Sequence, residues 1–306
     1  MKLSPSSNNA LDPLSNVLDV LGARVTRLTR MEAAGGWALA FPAIDRLKFV
    51  TLLRGSQWMT LPGREPQLLR EGDACLIGRA EYVVASDPEM TPINGQTFYG
   101  ANCDAARFGG DDTIGIGGSV TFSSSNADFL LDRLPQFLVV PRSSPASETI
   151  ATILALASKE KEREIMGSEV VRARLADVLV VEAIRACAEF AEQADIGWLG
   201  AVSDLRLGRA LRAIHEDVAR PWTAAQLAKV AGMSRAAFSA EFTRRIGQPP
   251  LSYLRAWRLA IARAALKRDD ATVAIVANKV GYASQSAFAH AFRRAFGRSP
   301  KAEARS

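Results

Sequence analysis

The C-terminal third of the chain carries one pattern twice, and no other feature restricts the fold as much. Ser234 leads into Phe238, Phe242, Arg244, Gly247 and Pro250; at an offset of 50, Ser284 leads into Phe288, Phe292, Arg294, Gly297 and Pro300. Matched punctuation at a fixed offset marks a repeated structural unit. Each copy opens with a serine that can cap a helix, places aromatic residues four apart on one helical face, and stops at a glycine suited to the C′ position. Ahead of the first copy, Thr223 caps a shorter helix with Leu227, Ala228 and Val230 inward, and Gly232 makes the tight turn between the two. Thr272 caps the corresponding helix of the second copy. The pattern predicts two helix-turn-helix units in one all-α domain. Leu251 to Arg268 joins them as a helix with Leu254, Leu259, Ala262 and Leu266 inward, Arg255, Arg258 and Arg263 left for other uses, and Asp269-Asp270 at its end. Asp204 caps a leading helix that carries Leu205, Leu207, Leu211 and Ile214.

A helical wheel separates the faces of the two longer helices. In the first, Phe238, Phe242 and Ile246 form the core side, while Ala236, Ser239, Ala240 and Thr243 face outward with Arg244 beside them. In the second, Phe288, Phe292 and Phe296 point inward. Ser286, Ala289, His290 and Arg293 take the outer face, and Gln285 stands at its entering end. An outer face of this kind can enter a major groove and meet base edges.

Charge supports that reading. Residues 203–306 carry 19 Lys+Arg against 7 Asp+Glu, a net +12, while the remainder carries 19 against 25, a net −6. A basic module joined to a mildly acidic one points to a half that binds a polyanion and a half with another task. The three cysteines, Cys75, Cys103 and Cys187, are scattered without a CxxC pair, and no apolar run reaches the ~20 residues of a membrane helix. The expected location is the cytoplasm, with no membrane partner.

The N-terminal half reads differently. Leu14, Val17, Leu18 and Leu21 have helical spacing, so Asp12 or Pro13 opens a short helix that ends at Gly22. From Val25 to about Phe122 the period is that of strands: 37–41, 47–53, 57–61 and 74–77 are β-type runs, parted by turn signals at Arg54-Gly55-Ser56, Pro62-Gly63 and Glu71-Gly72-Asp73. Gly109-Gly110-Asp111-Asp112 and Gly115-Ile116-Gly117-Gly118 lack the spacing of a phosphate loop and read as turns around one more strand, Ser119 to Ser123. Helical spacing returns at Glu148–Glu164. Gly167 breaks it, and Ser168 caps a second helix whose apolar face includes Val171, Leu175, Val178 and Leu179. Excess apolar surface on that helix points to packing on the β region and on a second subunit, with an internal helix pair as the simpler explanation.

Two resemblances follow from these residues. Leu53-Arg54-Gly55-Ser56, Leu61-Pro62-Gly63, Gly72-Asp73 and the turn near Arg79 resemble the cupin-type sensing domain of AraC-family regulators. Ala228, Ala231-Gly232-Met233-Ser234, Phe238, Phe242 and Gly247, then Ile275, Ala277, Val280-Gly281-Tyr282, Ser284, Phe288, Phe292, Phe296-Gly297 and Ser299-Pro300, resemble the AraC/XylS family of transcription regulators. That resemblance implies a domain that inserts two recognition helices into successive major-groove segments. The implied base readers are Ala236, Ser239 and Ala240 in the first helix and Gln285, Ser286, Ala289 and His290 in the second, and the outer faces add Thr243 and Arg293 as candidates. Relatives commonly carry arginine where Ala240 stands, and alanine offers a base only methyl contact, so the second helix is expected to discriminate more. Arg244, Arg245, Arg294 and Arg298 are expected on phosphates, where contacts set register and salt dependence.

The expected architecture is α+β and multidomain: a cupin-like β-barrel regulatory domain at 12–140, a helical linker at 146–198 that can dimerise, and a double helix-turn-helix DNA-binding domain at 203–302. Trp37, Phe49, Trp58, Tyr82 and Phe98 are candidates for an effector pocket. The partners expected are double-stranded DNA, a small-molecule effector, a second copy of the chain, and RNA polymerase if the protein is an activator. No cofactor, metal or catalytic residue is expected. The metal site of enzymatic cupins uses several histidines, whereas this chain has only His215 and His290, both outside the β region. A DNA-bending protein with an oligomerising N-terminal half is the alternative, and a metal cupin enzyme with a DNA-binding tail ranks below it.

Overall fold

In the computed structural model of the chain the described residues are 12–21, 23–100, 103–122, 129, 131, 132, 134, 136–163, 165–193, 197–268 and 272–305. They form two compact units, one of residues up to 22 together with those from 200 onward, the other of 23–199.

The second of these holds the strands β1 (Ala23–Ala33), β2 (Ala38–Phe41), β3 (Leu47–Arg54), β4 (Ser56–Thr60), β5 (Gln67–Arg70), β6 (Ala74–Ile77), β7 (Tyr82–Ala85), β8 (Ile93–Asn94), β9 (Ala105–Phe108), β10 (Thr113–Phe122) and β11 (Phe137–Val140). They make a six-stranded sheet in the order β11-β6-β3-β10-β1-β9 and a five-stranded sheet in the order β5-β4-β7-β2-β8. Alternation decides which side chains face the space between the sheets. Leu52, Met31 and Phe137 from the larger sheet meet Leu39, Met59, Leu69 and Val84 from the smaller in one buried cluster. The β9 and β8 edges pair in parallel with β1 and β2, and the other ladders are antiparallel.

Gly115-Ile116-Gly117-Gly118 corrects the sequence reading. These residues are not a turn; they lie inside β10, the ten-residue strand between β1 and β3. The reason is room. Gly118 pairs directly with Phe49 of β3, and a Cβ at Gly118 would run into the Phe49 ring. The glycines spare the strand its side chains where those of its neighbours cross it. Gly109, at φ 72°, does form a turn, closed by a bridge between Phe108 and Gly110.

Helices α2 (Pro145–Arg163) and α3 (Ser168–Gln193) belong to this unit, packed on each other, with α3 also against β1, β6 and β11. Ser168 is not a cap here: it is the first residue of α3, and its hydroxyl bonds Glu160 Oε2 of α2 at 3.2 Å. The buried face of α3 runs through Leu179, Ile184 and Ala186, whereas Val171 and Val178 are exposed. Residues 171 and 178 share a stripe about 100° round the helix from the one through 179 and 186, and the latter is the buried one.

The helical unit comprises α1 (Pro13–Leu21), α4 (Gly197–Ser203), α5 (Leu207–Glu216), α6 (Ala224–Ala231), α7 (Arg235–Ile246), α8 (Pro250–Arg268), α9 (Val273–Lys279), α10 (Gln285–Phe296) and the short α11 (Pro300–Glu303); α4 straddles the boundary between the units. Asp12 Oδ1 accepts from the amides of Leu14 and Ser15 and so starts α1 where the sequence placed it. This helix contacts α5 and α8 and groups with the helical unit. Leu207, Leu211 and Ile214 of α5 are buried and Leu205 is exposed, because Asp204 Oδ1 accepts from the amides of Arg206 and Leu207 and the helix begins beyond Leu205. Asp269 and Asp270 lie outside the described residues.

Candidate nucleic-acid interface

Both helix-turn-helix units are built by the same local devices. Thr223 accepts from Gln226 N at 3.2 Å while Gln226 Oε1 accepts from Thr223 N at 2.9 Å, a reciprocal cap that starts α6. Thr272 accepts from Ile275 N to start α9. Ser234 and Ser284 accept from the amides of Ala237 and Ala287, each at 3.2 Å, and Gly247 and Gly297 end α7 and α10 in the left-handed region at φ 78° and 72°. The turns differ by one residue: Gly232-Met233-Ser234 in the first unit becomes Gly281-Tyr282-Ala283-Ser284 in the second. Met233 N still reaches back to Ala228 O, as Tyr282 N does to Ala277 O.

The buried sides fix the recognition helices in place. Phe238 and Phe242 are fully enclosed, with Tyr253 of α8 edge-on to Phe242 at 5.8 Å. Phe288 and Phe292 are enclosed likewise, against Leu259, Leu266, Val276 and Val280. Phe296 is only half-buried; it lies edge-on to Phe292 at 4.7 Å under the guanidinium of Arg263. His215 sits at the centre of the first unit's support. Its Nε2 is 2.8 Å from the Tyr253 hydroxyl, its ring lies 4.6 Å from that of Trp257, and burial pushes its pKa down to about 3 against a small opposing pull from Asp12.

The outer faces differ in charge. On α7, Ala236 and Ala240 are exposed, Ser239 and Thr243 are half-buried, and the Thr243 hydroxyl donates to Ser239 O at 2.7 Å. Glu241 accepts from Arg244 Nη2 at 2.7 Å and from Arg245 Nε at 2.7 Å, and these hydrogen bonds pull its pKa down to about 2. Arg245 also lies 3.8 Å from Asp204, with 17% of its side chain exposed. Both arginines are thus partnered within the domain. On α10, Gln285, Ser286, His290, Arg293 and Arg294 are exposed and Ala289 is half-buried. The helix has no acidic residue, and among the described residues no carboxylate pairs with Arg293 or Arg294. Ser286 Oγ is 3.2 Å from Ser284 Oγ. Arg298, just past α10, is 3.7 Å from the buried Glu303 carboxylate, which Arg263 binds at 2.7 Å and Lys267 approaches to 3.5 Å.

Two arginines of α8 are occupied rather than free. Arg263 takes Glu303. Arg258 donates to four backbone carbonyls: Val218 at 2.8 Å, Ala219 at 3.2 Å, Arg220 at 2.7 Å and Gly281 at 3.2 Å. The loop ahead of the first unit is thereby tied to the turn of the second.

The β unit has a cavity of its own, about 420 Å³ in volume, between the two sheets. Of the five aromatic candidates, Phe49 and Tyr82 line it, whereas Trp37 and Phe98 pack in the core and Trp58 is half-buried on β4 outside the lining. Lys48, Gln57 and the β10 glycines also line it; their polarity or lack of a side chain hid them from a search for aromatic residues. Among the described residues no group of three or more His, Cys, Asp or Glu is placed to hold a metal ion.

Comparison with known proteins finds two corresponding domains, with α1 falling inside the first match. Residues 12–189 match a cupin family model and residues 227–306 a helix-turn-helix domain model. A cupin domain followed by paired helix-turn-helix units defines a class of transcription regulator, and the chain belongs to the AraC family of that class. It is similar to a putative AraC-like transcription regulator of Streptomyces lividans, 37% identical over 95% of this chain and 97% of that protein. It is similar also to the HTH-type transcriptional regulator AlkR of Acinetobacter baylyi, 32% identical over 95% and 98% of the two chains. A solved relative is the DNA-binding domain of AdpA, a global transcriptional factor, in complex with a target DNA: 31% identity, 33% of this chain, 91% of that one, TM-score 0.32. No helix among the described residues is long and apolar enough to cross a membrane.

Proposed function

We propose that this regulator reads its DNA site mainly through α10, with α7 seated in the neighbouring groove segment by shape and methyl contact, and that a small molecule bound in the β unit controls it. The carrying observation is the contrast between the two outer faces. Gln285, Ser286, His290 and Arg293 offer α10 donors and acceptors for base edges, and Ala289 a methyl group. Arg294 and Arg298 serve phosphates. Ala236, Ser239, Ala240 and Thr243 give α7 little to exchange with a base, and Glu241 partly neutralises Arg244 and Arg245, its phosphate-facing residues.

Effector control requires that the ligand bind DNA-competent and DNA-incompetent states with different affinity. The cavity of about 420 Å³ falls in the range of small-molecule sites, roughly 300–1,000 Å³. The protein acts in the cytoplasm without enzymatic activity, contacts RNA polymerase if it activates, and dimerises through the exposed Val170, Val171 and Val178 of α3. Titration of the full chain against a selected site and against a scrambled duplex tests the reading. A large preference for the selected site that Gln285→Ala erodes and Ser239→Ala leaves intact supports it, and the reverse pattern overturns it.

A further inference from the structure

We infer that the cavity of the β unit takes a small organic anion with an apolar body, its acidic group received by Lys48 and a neighbouring polar group by Gln57. This inference rests on the reading of the β unit as the effector-binding half. Three cations, Arg27, Arg46 and Lys48, line the cavity, and no Asp or Glu does. Arg27 is already engaged by Asp104 at 2.7 Å. Lys48 is not: Nζ donates to the Tyr82 hydroxyl at 3.1 Å and lies 4.8 Å and 5.1 Å from the ring centroids of Tyr82 and Phe41, yet among the described residues no carboxylate pairs with it. Burial first, and the like charge of Arg46 second, hold its pKa down at about 8.

A half-buried ammonium with no carboxylate partner among the described residues is costly to keep, and an arriving anion relieves that cost. Gln57 gives independent evidence. It is 1% exposed, it lines the same cavity, and neither its amide oxygen nor its amide nitrogen has a partner. A buried amide left this way forfeits the solvation of both atoms. The second oxygen of an ionised acid group accepts from the amide nitrogen, and a ligand hydroxyl, donor and acceptor together, meets both atoms. Met31, Phe41, Phe49, Val84 and Ile116 supply apolar wall for the rest of the molecule.

Calorimetric titration of the full chain with a matched pair, 4-phenylbutyrate and 4-phenylbutan-1-ol, tests the assignment. The acid is expected to bind at least about tenfold more tightly than the alcohol. Lys48→Met should remove that preference, and Gln57→Leu should weaken the acid several-fold. The melting temperature of Lys48→Met, expected to hold or rise because a half-buried charge without a carboxylate partner is gone, shows that the variant is folded. Equal affinity for the two probes, no binding of either, or undiminished acid binding by Lys48→Met overturns the proposal. The affinity for a DNA fragment enriched from a random pool separates this proposal from the reading beneath it. Acid binding that leaves DNA affinity unchanged supports the site and removes effector control. Alcohol binding that shifts DNA affinity while the acid does not bind removes the anion assignment and leaves effector control standing.

Discussion

Glu241 holds Arg244 by two bonds, Nε to Oε2 at 2.9 Å and Nη2 to Oε1 at 2.7 Å, and the corresponding arginine of the second unit, Arg294, has no such partner because Ala291 stands where Glu241 does. Hydrogen bonds from Arg244 and Arg245 keep Glu241 ionised far below neutral pH, with its pKa near 2. The cations of α7 are therefore partly neutralised at any working pH, and Arg294 is not.

Removing the clamp is expected to free phosphate-binding charge. Glu241→Ala should bind all DNA sequences more tightly at low salt and steepen the dependence of log K on log salt by about 0.9 for each phosphate gained. Fluorescence anisotropy across a salt series measures both. An unchanged slope would place Arg244 out of reach of the backbone.

Gln285 and Arg294 are expected to fail in different ways. Gln285→Ala should relax the preference at one or two base pairs, each worth about 1–3 kcal/mol. Arg294→Ala should weaken matched and scrambled duplexes alike and flatten the salt slope. Competition assays on single-substitution duplexes distinguish the two, and a uniform loss in Gln285→Ala would take that residue off the reading face.

Arg258 is expected to set the relation between the two recognition helices. It ties residues 218–220 to Gly281, and at Gly281 the chain is so close that a Cβ would strike the Ala219 carbonyl, in a turn whose φ of 79° already excludes most side chains. In Arg258→Met the penalty for inserting one base pair between the two groove segments should shrink several-fold. Loss of affinity without any change in that spacing penalty would show that Arg258 only stabilises the fold.

His215 gives the helical unit an acid limb. Its folded pKa near 3 lies below the 6.5 of an unperturbed imidazole. Between those values the unfolded chain takes up a proton that the folded chain refuses, so stability falls as pH drops through the window and is unaffected above it. The slope attributable to one such group is at most about 1.4 kcal/mol per pH unit. Tryptophan-fluorescence melts at pH 7 and pH 4.5 should show a smaller decrement for His215→Gln than for the natural chain.

The helical half was legible because its information is local. Serine and threonine caps, glycine stops and aromatic residues four apart each act within one helical turn, and every one of the described caps at Thr223, Ser234, Thr272 and Ser284 stands where its residue type placed it. What the sequence hid depends on distant partners. The Gly115–Gly118 run reads as a turn until Phe49 is seen crossing it. Arg258 looks like a spare surface cation until the carbonyls of residues 218–220 and 281 converge on it. Gln57 and Lys48 alternate unremarkably along their strands, and only the closing of two sheets brings them to one cavity. Likewise spacing puts Val171, Val178 and Leu179 on the apolar face of α3, and of these three only Leu179 is buried.

Selection of bound duplexes from a random pool by the full chain, repeated with Gln285→Ala, tests the central claim most directly. The expected result is two conserved blocks about one helical turn apart, unequal in information, with the stronger block altered by Gln285→Ala. Enrichment without a shared sequence, or a stronger block that Gln285→Ala leaves untouched while Ala240→Arg reshapes it, would contradict the assignment of readout to α10.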